Sequence, residues 1–257
     1  MNRSARYVGD GRCRVTVWRE VEDALEAIIT EYERVNHVIS LFQDERARRR
    51  GLDASGSHRG VGLELGPGPG NFTSLLRSRL EGFLVCLDYS AEMLSAARAS
   101  VGGGDTGFVR GVFEALPLRP GIVAFTAASY ALRDSTDKAR VLREVSRALR
   151  RGGRFLIVDI GKPNNPLVRG VFSLYMRYGV PILGGLAGGY GYRNPWALLY
   201  KTYELLPTND ELLDTLKAVF GAAQLEERAF GGLIVAIAEK ASDRTPPHQI
   251  RDFTGTG

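Results

Sequence analysis

Val61-Gly62-Leu63-Glu64-Leu65-Gly66-Pro67-Gly68-Pro69-Gly70-Asn71 is an apolar run that passes into alternating glycines at the start of a helical pattern. Glycine lets the backbone turn sharply and approach a ligand closely, as a nucleotide-like cofactor at a strand-to-helix turn requires. A tight turn without any ligand would use the same residues. The G-x-G-x-G spacing narrows the choice. Neither G-x-G-x-x-G frame closes, because Asn71 and Thr73 stand where the third glycine would be, so a dinucleotide fingerprint is disfavoured. No G-K-[ST] follows, which excludes a P-loop. Asp88 ends the next apolar run, eighteen residues after Gly70, where a carboxylate can accept both hydroxyls of a ribose.

Outward from this loop, short apolar runs predict strands at 61–65, 83–87, 107–110, 121–127, 154–159, 224–229 and 233–238. Helices are predicted over 71–80, 90–99, 136–149 and 209–220, each between two strands. This alternation writes a largely parallel α/β sheet covered on both faces. Upstream, Val21, Leu25, Ile28, Ile29, Tyr32, Val35, Ile39 and Phe42 recur at helical spacing, predicting one or two amphipathic helices over 18–50. The polar, glycine-rich stretch Gly51 to Gly60 is the expected junction to the main unit. One domain is expected, with a helical extension over 1–55, a core over 56–242 interrupted by an insertion at about 163–206, and a disordered tail over 243–257.

The 257 residues are 44% hydrophobic and 25% charged, a composition that excludes a disordered or collagen-like chain. No run reaches the ~18 apolar residues of a membrane span. Met1 to Glu20 alternates Arg with polar residues and lacks the apolar core of an export signal, so a cytoplasmic protein is expected. Cys13 and Cys86 make no disulfide framework, and His37, His58 and His248 are too scattered for a metal site, so none is expected. The charge of +5 is spread along the chain without an aromatic-interleaved basic strip, which disfavours nucleic acid as a partner. The dense basic run Arg46, Arg48, Arg49, Arg50 reads as a solvated helix end.

With the glycine loop preceded by Glu64 and followed by Asp88, the sequence resembles the class I S-adenosylmethionine-dependent methyltransferases. The resemblance implies a Rossmann-like seven-stranded sheet whose last strand is antiparallel. It implies that Glu64 precedes a cofactor loop in which Gly66, Gly68 and Gly70 line the methionine and ribose side, that Asp88 holds the ribose, and that Tyr89 flanks the adenine. More narrowly, about residues 20 to 240 resemble the ubiquinone and menaquinone biosynthesis C-methyltransferases. Tyr32-Glu33-Arg34-Val35-Asn36-His37-Val38-Ile39-Ser40 is similar to the family's Y-D-x-M-N-x-x-[LIVM]-S. Tyr130-Ala131-Leu132-Arg133-Asp134-Ser135-Thr136-Asp137 is similar to F-G-L-R-N-V-T-D, and Arg147 to Gly153 follows R-V-L-K-P-G-G. Ser129 matches a cofactor-contacting serine. Departures stand beside these matches. The family's loop threonine is Pro69, which has no donor to offer. The acid that meets the adenine aligns with Val112, leaving the base to packing on Phe113. The family's His and Trp align with Asp44 and Ala47, and the Asn of L-R-N is Asp134.

That resemblance implies transfer of a methyl group from S-adenosylmethionine to a ring carbon of a lipophilic quinol such as demethylmenaquinol. A quinol carbon becomes nucleophilic when its neighbouring oxygen loses a proton, so the site must stabilise a phenolate. Arg133, at the end of the fourth strand, is the expected fixed charge and Asp134 the expected proton acceptor; a salt bridge to Asp137 is the other use of Arg133. Acceptor contacts are expected at Tyr32, Asn36 and Tyr130, and at Tyr175, Tyr190 and Tyr192 of the apolar insertion, which serves as a lid for an isoprenoid tail, a dimer face or a peripheral membrane contact. A methyltransferase of another small molecule or lipid is the alternative activity, ahead of an RNA-modifying enzyme or a non-catalytic relative.

Overall fold

The computed structural model describes residues 31–189, 191 and 194–241. Tyr190 and Tyr192 lie outside the described residues, as do the expected helix before residue 31 and the tail. Seven strands form one sheet: β1 (Val61–Leu65), β2 (Leu84–Asp88), β3 (Thr106–Arg110), β4 (Val123–Ser129), β5 (Leu149–Ile160), β6 (Gly221–Arg228) and β7 (Leu233–Lys240). Their order is β3-β2-β1-β4-β5-β7-β6. Pairs among the first five are parallel, and β7 runs antiparallel to both β5 and β6. The seven-stranded α/β sheet expected from the sequence is thus observed, with its antiparallel strand. The order reverses between β1 and β4, and a ligand crevice opens at the carboxyl ends of strands at such a switch point. The Gly66 loop leaves β1 there, and Tyr130 to Asp134 leaves β4.

In chain order the helices are α1 (Tyr32–Ile39), α2 (Asp44–Ser55), α3 (Asn71–Arg77), α4 (Ala91–Val101), α5 (Lys138–Ala148), α6 (Pro166–Leu174), α7 (Val180–Gly188), α8 (Leu199–Glu204) and α9 (Asn209–Phe220). Alternation along the strands divides the core in two. Leu63, Leu65, Val85, Leu87, Phe155 and Ile157 pack with Val141, Leu142 and Val145 of α5 and Leu216 and Phe220 of α9. Leu84, Cys86, Phe125, Leu156 and Val158 face the other way, onto Ala47 and Leu52 of α2 and Phe72 and Leu76 of α3. The insertion builds a third, smaller core in which Val35 of α1 meets Met176, Val180, Trp196 and Tyr203. Pro166 sits in the first turn of α6, where no N–H is needed, and the Asn165 carboxamide oxygen accepts the N–H groups of Leu167 and Val168.

Two expectations are corrected. The junction does not begin at Gly51: α2 runs on to Ser55, and Gly51 is buried against the sheet. A Cβ at Gly51 would stand 2.8 Å from Leu156 Cδ1 and 3.1 Å from Val158 Cγ2, so this glycine marks close approach of a helix to β5 rather than a linker. β5 begins at Leu149, not 154, because Leu149 pairs with Val123 across a register shift that the left-handed Gly152 (φ 68°) accommodates. Gly51→Val should overpack this contact and lower stability by about 1–3 kcal/mol in urea unfolding.

Candidate active site

Three backbone features build the cofactor side. Gly66 has φ +68°, and a Cβ on it would come within 2.5 Å of Ala131 Cβ and 3.4 Å of Phe113 Cζ, so the loops after β1 and β4 meet only because this residue is glycine. Gly68 and Gly70 are also left-handed, and Gly70 caps α3. Beneath the loop Glu64 is buried, its Oε2 receives the Cys86 thiol at 3.5 Å, and its Oε1 accepts no hydrogen bond. Burial pushes the Glu64 carboxyl up to about 7. Asp88 is half-buried at the end of β2, with Oδ1 accepting the Ser90 N–H at 3.0 Å. Beyond it Tyr89 and Val112 are exposed, with the Arg110 guanidinium over the tyrosine ring at 5.6 Å, and Phe113 is half-buried. The donor set suits S-adenosylmethionine: a carboxylate for a ribose diol at Asp88, apolar side chains for a base at Tyr89, Val112 and Phe113, and a buried unsatisfied acceptor at Glu64 on the glycine-loop side. Pro69 lacks a donor, and that end of the ligand must rely on other loop groups.

The second wall of the crevice begins at Ser129, the last residue of β4. Tyr130 follows in a left-handed conformation (φ 57°), and its N–H donates to Val158 O at 2.7 Å. Its hydroxyl is buried without a partner, and burial raises the phenol above its usual range. A single 3₁₀ turn, Leu132–Asp134, then turns Arg133 inward, leaving it 4% exposed. Its Nε lies 3.3 Å from Asp134 Oδ1 and its Nη1 3.5 Å from Asp159 Oδ1, while its backbone N–H donates to Asp159 Oδ2 at 3.2 Å. Burial lifts Asp134 to about 6 and Asp159 above the usual carboxylate range, the guanidinium between them opposing both shifts. Asp137 is not the partner of Arg133; it caps α5 by accepting the Arg140 N–H at 2.9 Å.

Arg133 and Tyr130 form part of the wall of a cavity of about 110 Å³. Asn36, Ser40 and Asp44 share its polar side, and Phe172, Tyr175, Met176 and Val180 its apolar side. The expected residues Asn36, Tyr130, Tyr175 and Arg133 are therefore brought together, whereas Asp134 is not part of this lining and stands behind Arg133. Tyr32 opens α1, but its side chain is outside the described residues.

Two residues escaped the sequence reading. Arg48, read there as part of a solvated helix end, is buried: its Nε donates to Ser129 Oγ at 3.0 Å, its Nη1 lies 3.5 Å from Asp44 Oδ2, and its guanidinium sits 5.3 Å from the Tyr130 ring centre. Asp44 is buried as well, holding His37 Nδ1 at 2.8 Å and accepting the Ser40 hydroxyl at 2.9 Å. The signal was the inward face of α2, where Asp44, Ala47, Arg48, Gly51, Leu52 and Ser55 recur at helical spacing; it is visible only once the helix is allowed to pass through Gly51.

Sheet order, glycine loop and terminal aspartate together define a Rossmann-like methyltransferase. The ubiE/COQ5 methyltransferase family model matches residues 14–240, and the chain belongs to that family and is an S-adenosylmethionine-dependent methyltransferase. It is 32% identical over 174 residues to the ubiquinone/menaquinone biosynthesis C-methyltransferase UbiE of Hahella chejuensis, covering 65% of this chain and 70% of that one. Identity to the demethylmenaquinone methyltransferase of Lactococcus lactis is 27% over 237 residues, or 90% and 93% of the two chains. In fold it is similar to a chain of the Haloferax volcanii complex of a methyltransferase with its activator Trm112, at TM-score 0.60 and 16% identity over 90% of this chain and all of that one. A Thermotoga maritima S-adenosylmethionine-dependent methyltransferase gives 0.59 at 17% identity, over 87% of this chain and 99% of that one. Asp88→Ala should weaken S-adenosylmethionine binding by ~1.5–3 kcal/mol in calorimetry, the range for losing hydrogen bonds to a charged group.

Proposed function

We propose that the chain methylates a ring carbon of a polyprenyl quinol of the demethylmenaquinol kind, at a membrane surface. The observation that carries the reading is an apolar cavity whose polar end holds a buried, permanently charged arginine next to the glycine-loop crevice. The names of the Hahella and Lactococcus relatives support the same acceptor class. A water-soluble acceptor would have little use for the Phe172, Tyr175, Met176 and Val180 wall.

Bound S-adenosylmethionine supplies an electrophilic methyl group. Arg133 supplies the complementary field: it cannot give up its proton, but its charge lowers the pKa of a phenol from its ordinary ~10 and stabilises the phenolate that makes the ortho carbon nucleophilic. The unpartnered Tyr130 hydroxyl can hold the same oxygen or its neighbour. The ring carbon would take its methyl from the S-adenosylmethionine held by Asp88 and the Gly66–Gly70 loop, and its own proton must then leave to restore the aromatic ring. We assign to Asp44, the carboxylate in the cavity wall steadied by His37 and Ser40, the proton that the phenol gives up before transfer; the ring-carbon proton passes to water afterwards. Asp134, behind Arg133, becomes a positioning residue for the guanidinium.

Arg133→Met keeps length and removes charge, so kcat should fall about a hundredfold or more while cofactor affinity is retained. Full activity in this variant would remove the mechanism. Asp44→Asn should slow methyl transfer mainly at neutral pH, and the deficit should shrink as the pH approaches the phenol's own pKa. A pH-rate profile that overlays the parent would return Asp44 to a purely structural role. For the acceptor class, mass spectrometry of quinones from cells with and without the gene should show a precursor one methyl lighter accumulating in its absence.

A further inference from the structure

α6, the π turn Tyr175–Gly179 and α7 form one continuous helix from Pro166 to Gly188. One face of it walls the cavity through Phe172, Tyr175, Met176 and Val180. A second face carries Leu167, Val171, Leu174, Tyr178, Ile182 and Leu186, all exposed, by 46% to 82%. At 1.5 Å per residue this stripe is about 28 Å long. A regular α-helix of 3.6 residues per turn would drift by roughly 100° over that length, and the wider i→i+5 turn at Tyr175–Gly179 takes up the drift and keeps the six side chains aligned. A contiguous apolar surface of this extent on a monomer marks an interaction site.

Charge selects the occupant. From Ile160 to Tyr203 the chain contains no Asp or Glu, but five cations: Lys162, Arg169, Arg177, Arg193 and Lys201. The one acid on the neighbouring α1, Glu33, is engaged with His37 Nε2 at 3.7 Å. A second copy placed symmetrically on the stripe would bring Arg169 and Arg177 against their own counterparts, with no carboxylate on the helix Pro166–Gly188 to meet them; the insertion's one acid, Glu204, lies at its far end. An apolar stripe with basic residues and no acidic ones is what an anionic lipid surface takes up. The cavity opens on the same side chains' neighbours: Leu41, just past α1, which packs on α7, lines the cavity and is 61% exposed, and Phe42 beside it is 66% exposed.

We propose that this stripe docks on an anionic bilayer and that the acceptor enters the cavity from the lipid rather than from water. The docking face stands on the stripe and its charge; what enters rests on the quinol reading above. The test is sedimentation of the full chain with phosphatidylcholine vesicles, with and without phosphatidylglycerol. Binding is expected with the anionic lipid and should weaken as salt is raised. Leu174→Gln with Leu186→Gln should lower vesicle binding by about tenfold or more, with thermal unfolding near that of the parent and an unchanged kcat on a short-tailed, water-soluble quinol. Arg177→Glu should weaken binding to the anionic vesicles only. The proposal is overturned if the parent ignores the vesicles, if the double variant binds them as the parent does, or if the parent is a dimer that the double variant separates, which would make the stripe a contact between copies. Vesicle binding that responds to these substitutions, in a protein that methylates no quinol, would overturn the acceptor and leave the docking face standing.

Discussion

A guanidinium that is 4% exposed has to bring its counter-charges with it, and the site is arranged around how Arg133 does so. Asp134 comes from the same 3₁₀ turn and Asp159 from β5, so the ion cluster ties the end of β4 to its parallel neighbour. Removing one partner of a buried ion cluster of this kind generally costs several kcal/mol. The raised carboxyl pKa values at Asp134 and Asp159 show that desolvation there outweighs the guanidinium's pull. Asp159 is held by the backbone N–H groups of Arg133 and Ile160, whereas Asp134 Oδ1 accepts no hydrogen bond.

The sheet supplies the crevice, but the acceptor chamber is made by segments outside the core α/β pattern. α1 contributes Asn36 and, at its C-cap, Ser40, α2 contributes Asp44, and the insertion contributes the apolar wall. Arg48 joins the two halves, reaching Ser129 on the cofactor side and Tyr130 and Asp44 on the acceptor side. One helix thus couples the geometry of both reactants, which fits a reaction in which carbon and methyl must be aligned before transfer.

What the sequence made legible is what local pattern encodes. The β1 run, its alternating glycines and Asp88 sit where they were expected because strand, turn and strand end are each written within a few residues. The span of α9, Asn209–Phe220, agrees to the residue, since its capping box Thr208…Glu211 is a local signal. Features set by tertiary packing were misread. Gly51 suggested a linker, but β5 lies too close for a side chain; Arg48 suggested solvent, but the hydroxyl that receives its Nε–H, Ser129, stands 81 residues away. Asp137 had helical spacing to Arg133, yet was already committed to capping α5, while Asp159 carried no signal linking it to the arginine.

The central claim is carbon methylation of a quinol beside a fixed positive charge. It is tested most directly by incubating the purified chain with reduced demethylmenaquinone and S-adenosylmethionine carrying a deuterated methyl group, then fragmenting the product by mass spectrometry. The account predicts the label on a quinone ring carbon. A label on oxygen, or an unlabelled quinol beside active transfer to another acceptor, would contradict it.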